Sequence, residues 1–539
     1  MSRHRWGLAI VSVLAIAIAP AWGQNASNAY NRDAVKALSK RIDEHLARTW
    51  KKAGVTPAPK AEDHVFFRRL HLDLVGHIPD FLKITDFVDP TNDSPDKRWD
   101  VVDGLLNGSE HPRHFGNVWR SIMLGYQTNQ QFQFLTPQFE SWVRERVEKN
   151  VGIDKMVNQL LTNQNNPNMA FNGQNQASPQ LFFLANENKA ENLAGATSRV
   201  FLGVKIECAQ CHAHPFAKWS KDQFWEFAAF YSTPPQMVRR PGIQPVEKIQ
   251  GFQAGREILI PGTDKVVKAK YLNGKEPQWD VLNNSRATLA NWVTSPENPY
   301  FAKAMADHLW SYLMGVSLLE PILEPSDDSP VTHPDLLNDM AKALIDNNFD
   351  AKFLIRAIVH TDAYQRSSGG TKLADKEDYH LFVRMPIRAM SPEQIFDSVW
   401  MATNFRERQP EVAMQQFGNP NQLQSPRAQF LMKFTNQDRR HEPQTSILQA
   451  LFLMNGKFLA ERTKVDNNQD LKDLAAQNTS HEKRVNALYM IVLSRPPRAE
   501  ETQRLVSYLE KGGATGNLGE ALSDVYWALL NSSEFLLNH

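Results

Sequence analysis

Apolar residues recur at three- and four-residue steps over most of this chain, and that spacing favours packed helices over other architectures. Val35, Leu38, Ile42, Leu46 and Trp50 set the pattern and predict an amphipathic helix. Phe66 to Leu74 mixes Phe, Leu, Arg and His and predicts a buried helix, stopped at Gly76-His77-Ile78-Pro79, where Gly and Pro are natural terminators. Trp99, Val102, Leu105 and Leu106 predict another, ended by Asn107-Gly108. Farther on, Thr288 to Trp292 and Phe301 to Leu313 repeat the helical period. Thr332-His333-Pro334-Asp335 leads into Leu336, Leu337, Met340, Leu344 and Ile345 as a capped helix start. Ser391-Pro392-Glu393-Gln394 has the form of a capping box with Pro at the first helical position, and Ile395, Phe396, Val399 and Trp400 follow as its buried face. Leu518, Leu522, Val525, Tyr526, Leu529 and Leu530 predict a final amphipathic helix.

Residues 236–284 change character. Ile258-Leu259-Ile260, then Pro261-Gly262-Thr263-Asp264, then Val266-Val267 predicts a β-hairpin around a turn. Residues 163–176 and 415–426 are polar and rich in Asn and Gln, as in linkers or surface loops. No fixed-period repeat marks a solenoid. The expected fold is mainly α: two helical domains, residues 24–235 and 285–539, joined by a small hairpin-containing insert at 236–284.

Residues 1–23 have the form of a signal peptide. Arg3, His4 and Arg5 precede an apolar run from Leu8 to Ala19; Pro20 breaks it, and Ala21-Trp22-Gly23 places small residues for cleavage before Gln24. The run is short for a membrane anchor, and no later segment reaches the ~20 apolar residues of a span. The expected location is outside the cytoplasm, periplasmic or extracellular. Lys plus Arg number 60 against 59 Asp plus Glu, so no global basic field points to nucleic acid. Exported redox or protein partners fit this profile.

The chain of 539 residues has two cysteines, too few for a disulfide-stapled scaffold, a four-cysteine zinc ribbon or a ferredoxin-type cluster. Both fall in Glu207-Cys208-Ala209-Gln210-Cys211-His212. This C-x-x-C-H spacing is the attachment pattern of c-type haem. Two thiols about one helical turn apart reach the two vinyl groups of one haem, and the next histidine falls beneath the iron. The expected roles are thioether attachment for Cys208 and Cys211 and proximal ligation for His212, with Met237 a candidate distal ligand. Other readings stay open at this point: a Cys208–Cys211 disulfide, a metal site using Cys208, Cys211, His212 and His214, or inert thiols. Trp219, Phe224, Trp225, Phe227, Phe230 and Tyr231 follow the motif, as a wall around a haem or as ordinary helix core.

Several segments together carry a resemblance. They are Arg68-Arg69-Leu70-His71-Leu72-Asp73-Leu74-Val75-Gly76-His77-Ile78-Pro79, and Phe201-Leu202-Gly203-Val204 leading into Cys208-Ala209-Gln210-Cys211-His212-Ala213-His214-Pro215-Phe216. The second half adds Leu289-Ala290-Asn291-Trp292-Val293-Thr294-Ser295-Pro296-Glu297-Asn298-Pro299, Ser329-Pro330-Val331-Thr332-His333-Pro334-Asp335-Leu336-Leu337, and Leu529-Leu530-Asn531-Ser532-Ser533-Glu534-Phe535. In these pieces the sequence resembles a family of exported proteins first described in planctomycetes, which pair a cytochrome c-like domain with a second, uncharacterised domain. The resemblance spans roughly residues 30–235 and 285–537. It implies a haem-type reading of the same C-x-x-C-H and carries no settled reaction. Family members often have an acid where this chain has Ala213 and another where it has Ala217, so chemistry resting on those acids does not transfer.

Two further constellations are weaker. Glu324, Asp327, Asp328, His333 and Asp335 gather oxygen ligands and one histidine, a pattern that helix capping and a solvated loop also explain. Asp438-Arg439-Arg440-His441-Glu442 suits an anion site or a surface ion-pair network. No GxSxG elbow, P-loop, HExxH or dinucleotide GxGxxG occurs. The expected function is an exported c-type cytochrome-like protein for electron transfer or haem redox chemistry. The alternative is a secreted degradative, polysaccharide-related or binding protein in which the two cysteines form a disulfide.

Overall fold

The computed structural model describes residues 30–124, 135–163, 177–213, 219–232, 253–279, 284–319, 331–369, 379–403, 427, 430–431 and 457–539. In helix α1 (Arg32–Ala53), Val35, Leu38, Ile42, Leu46 and Trp50 are all buried on one face. Asn31 caps its start by accepting from the Ala34 N–H, and Gly54 closes it in the left-handed conformation, as the end of a helix favours. Among the described residues, nine further helices follow before the insert: α2 (Asp63–Leu74), α3 (Phe81–Val88), α4 (Lys97–Asn107), α5 (Glu110–Leu124), α6 (Thr136–Glu148), α7 (Ile153–Thr162), α8 (Leu181–Ala185), α9 (Ala190–Leu202) and α10 (Lys221–Ala228).

The expected hairpin is present. Strands β1 (Glu257–Leu259) and β2 (Val266–Lys268) pair antiparallel with Ile258 opposite Val267. Gly262, at φ +75°, sits in the turn. Ion pairs Lys265–Asp222 (2.6 Å) and Lys270–Glu226 (2.9 Å) fasten this hairpin to α10.

Helices resume with α11 (Ser285–Val293), α12 (Phe301–Met314), α13 (Pro334–Asp346) and α14 (Ala351–Val359). A short strand β3 (Arg388–Ala389) precedes α15 (Pro392–Thr403), α16 (Lys457–Thr463), α17 (Gln469–Ala476), α18 (His481–Leu493), α19 (Ala499–Glu510) and α20 (Leu518–Leu530); strand β4 (Leu537–Asn538) then pairs with β3. The fold is mainly α. Among the described residues, no helix is long and apolar enough to cross a membrane.

Capping follows the sequence at one of the two expected starts. Gln394 N–H donates to Ser391 Oγ (3.2 Å) while Ser391 N–H donates to Gln394 Oε1 (2.8 Å), a reciprocal capping box. At α13 the cap residue is His333, whose side chain caps nothing. Its Nε2 instead bonds the His380 carbonyl at 2.7 Å. The helix starts there on the strength of Pro334 at its first position.

Apolar residues form two cores. One runs from α1 through the hairpin and α14 to Met385; the other gathers α15 to α20. Helix α2 lies between them. Phe66, Phe67, Leu70 and Leu74 enter the first core, while Leu72 and, just beyond the helix, Ile78 enter the second. Every residue from Phe66 to Leu74 is buried. A helix enclosed on all sides must find partners for whatever charge it carries.

Candidate functional site

The two cysteines sit on a short 3₁₀ turn. Glu207–Gln210 form that turn, and Cys211 follows it with helical backbone angles. In a 3₁₀ helix, residues i and i+3 eclipse, so Cys208 and Cys211 fall on the same side. Both are free thiols; Cys208 is half-buried and Cys211 exposed. The turn is held from beneath. Ala209 is fully buried, and the Trp225 indole N–H donates to the Gln210 carbonyl at 3.1 Å. Glu207 pairs with Arg199 of α9. Gly195, also on α9, leaves room for Glu207: a Cβ there would lie 2.7 Å from the Glu207 Cγ.

His212 is exposed, and its Nδ1 lies 2.6 Å from the Ala213 carbonyl oxygen. A carbonyl only accepts, so Nδ1 carries a proton, and in the neutral ring the lone pair is then on Nε2. That is the arrangement of a metal-ligating imidazole, whose second nitrogen is fixed by an outer acceptor. The donor set therefore fits a covalently held haem: two thiols on one side of a turn and an imidazole nitrogen free to ligate.

Trp219, Phe224, Trp225, Phe227, Phe230 and Tyr231 are all buried. They pack in the first core, and Tyr231 shares a 2.7 Å hydrogen bond with Thr197 of α9. Met237 and His214 lie outside the described residues, as do Glu324, Asp327, Asp328, the charged run 438–442 and the segment 1–23. Of the acid cluster, His333 is buried on the His380 carbonyl and Asp335 stands in the first turn of α13. Among the described residues, no group of three or more His, Cys, Asp or Glu side chains could hold a metal ion.

The structure also assembles a buried polar hub that no short motif announced. Asp73, on α2, receives Arg388 through both carboxylate oxygens (2.9 and 2.8 Å), the Tyr364 hydroxyl (2.7 Å) and the Asn538 amide (2.8 Å). Arg388 and Asn538 are directly opposed across β3 and β4, so their side chains share one face. Arg69 donates to the carbonyls of Tyr364, Arg366 and His539, and Arg68 to those of Val492 and Phe535. Burial pulls both guanidinium groups down to about 10. Burial likewise pushes His71, His111 and His114 down to about 3, so all three are neutral. A second ionic group lies near this hub. Arg120 of α5 reaches Glu140 of α6 and Glu393 of α15 at 2.8 Å each. Arg113 and Arg427 flank Asp397 at 3.4 Å. The sequence signal for the hub was the density of charge within the buried Phe66–Leu74 helix.

Comparison with known families gives two matches, whose boundary does not follow the division into two cores, since the first core runs on to Met385. Residues 41–235 match PSCyt2, a protein family of unknown function (DUF1549), and residues 285–509 match PSD1, also of unknown function (DUF1553). Neither the curated proteins nor the solved structures gave a match. The hub just described joins the two matched regions, since Asp73 belongs to the first and Arg388 to the second. One stretch of the chain is thus similar to PSCyt2 and a later stretch to PSD1.

Proposed function

We propose that this chain is an exported c-type cytochrome-like protein that binds haem through Cys208 and Cys211, with His212 as the iron ligand. Haem supplies reversible one-electron chemistry at its iron. The observation that carries the reading is the His212 imidazole, whose Nδ1–H is committed to the Ala213 carbonyl while Nε2 is left with its lone pair. The two thiols share a side of the turn, and buried Ala209 and the Trp225–Gln210 bond hold that turn on the core. Export supports the same reading, because the signal-like segment 1–23 sends the chain to a compartment where such attachment occurs. Met237 is the proposed candidate for the opposite face of the iron. Electrons would pass to exported redox partners.

Intact-mass measurement tests this. Protein exported from a strain with haem-attachment machinery gains the mass of one haem, and Cys208→Ser with Cys211→Ser abolishes the gain. Protein that gains no mass, and whose two thiols become titratable only after reduction, supports the second reading instead: a secreted degradative or binding protein with a Cys208–Cys211 disulfide. The shared side of the 3₁₀ turn suits that bond as well.

A further inference from the structure

Lys352 is an unusual lysine. It stands in the first turn of α14, where Asp350 caps the backbone through the N–H groups of Lys352 and Phe353. The residue is only 9% exposed. Its amine makes no hydrogen bond or ion pair among the described residues. It lines a cavity of about 20 Å³, walled by His111, Phe115 and Trp119 of α5, Met156 of α7 and Ile355 of α14. A space of that size holds about one water molecule.

Burial, and then Arg356 one turn further along α14, push the Lys352 amine downward from the ordinary lysine range, against a weaker pull from Asp350. Arg356 is tied to Asp103 through Nε at 2.7 Å, which leaves its Nη groups uncommitted among the described residues. His111 donates Nδ1–H to the Leu74 carbonyl at 2.8 Å and is neutral, so it adds no compensating charge. A lysine largely withdrawn from water, among mostly apolar walls and beside another cation, is in the setting that makes an amine a nucleophile.

We propose that Lys352 is a carbon dioxide-binding lysine, whose amine takes up CO₂ as a carbamate in the α5–α7–α14 cavity. The amine lone pair forms the N–C bond to the carbon of CO₂. One C=O electron pair moves onto oxygen, and the displaced amine proton passes to water. The product is R–NH–COO⁻ plus one proton, with no oxidant or reductant needed. The space beside the amine is small, which favours a small electrophile over a bulky one. Charge selects it too: an unpaired cation beside Arg356 becomes an anion beside Arg356, and a carboxylate suits a guanidinium's free donors.

The test uses the full chain equilibrated with ¹³C-bicarbonate at mildly alkaline pH. The ¹³C NMR spectrum should show a carbamate signal that is lost in Lys352→Met and kept in Lys342→Met, a surface lysine paired with Asp346. Alkylation of the wild-type carbamate, followed by peptide mass spectrometry, should place the trapped group on Lys352 without relying on a variant. A trapped peptide set lacking Lys352, or a signal that persists unchanged in Lys352→Met, overturns the proposal.

Discussion

One Nη atom of Arg388 lies 2.8 and 2.9 Å from the two carboxylate oxygens of Asp73, across 315 residues of sequence. Tyr364 and Asn538 complete the carboxylate's shell. Asp73 comes from the region matching PSCyt2 and Arg388 from the region matching PSD1, so the contact ties the two together, at a helix that lies between the two cores. Asp73 is 1% exposed, which removes water as a substitute partner.

Asp73→Ala should therefore be among the most destabilising single changes in the chain. Removing one partner of a buried ion pair strands the other, at a cost of about 3–5 kcal/mol. Urea unfolding should show the unfolding free energy fall by that amount. A loss below about 1 kcal/mol, the range of an exposed pair, would mean that the hub does not hold the two regions together.

Gly76 ends the α2 segment at φ +83°, and a Cβ there would lie 2.3 Å from Nδ1 of His114. His114 cannot easily yield, because its Nε2 shares a 2.6 Å hydrogen bond with the Tyr312 hydroxyl. Gly76→Ala should cost more than the roughly 1–2 kcal/mol of a left-handed residue alone. Gly54→Ala is the control, since Gly54 has φ +68° but nothing within 4 Å of its Cβ position. Equal losses for both, measured by chemical unfolding, would remove the steric argument.

Acid should weaken the fold through its buried histidines. His71, His111, His114 and His360 sit at about 3 in the folded chain against an ordinary 6.5, chiefly through burial. Below the ordinary value the unfolded chain takes up protons that the folded chain refuses. Their stabilisation is thus present above pH 6.5 and is lost progressively as pH falls toward 3, by up to about 1.4 kcal/mol per pH unit for each ring. His360 stacks on Trp99 at 3.4 Å, so His360→Phe keeps the stacking and removes the proton site. The variant should show a shallower fall in unfolding free energy from pH 6 to pH 4. An unchanged slope would show that His360 is not excluded from protonation.

The reciprocal Ser391–Gln394 box predicts a cost of about 1 kcal/mol for Ser391→Ala. Thr332→Ala should be nearly neutral, because the α13 cap residue is His333 and Thr332 has no capping bond. Thermal unfolding of the two variants compares them directly, and a larger loss at Thr332 would reverse the assignment.

Local signals in the sequence were sufficient for the local structure. Helical spacing placed α1, α2, α4, α12 and α20, the Pro-Gly turn placed the β1–β2 hairpin, and the box at Ser391 survived intact. The C-x-x-C-H motif lies within five consecutive residues, so its spacing can be read from the sequence alone. The Asp73 hub was not legible in this way. Its partners lie 291, 315 and 465 residues away, and nothing in a linear pattern says which distant arginine or tyrosine answers a buried aspartate. Burial of Arg68, Arg69, His71 and Asp73 on one apolar helix did require partners, but pairing is a property of the tertiary fold. The β3–β4 pair escaped for the same reason: two residues per strand carry no alternating pattern.

The proposed covalent haem at Cys208 and Cys211, with His212 on the iron, has an optical signature. The visible spectrum of the exported protein, oxidised and then reduced with dithionite, tests it most directly. A sharp α-band should appear on reduction, stay with the polypeptide on a denaturing gel and disappear in the Cys208→Ser, Cys211→Ser double variant. A colourless protein, matured in a strain that attaches haem to a control cytochrome, would contradict it.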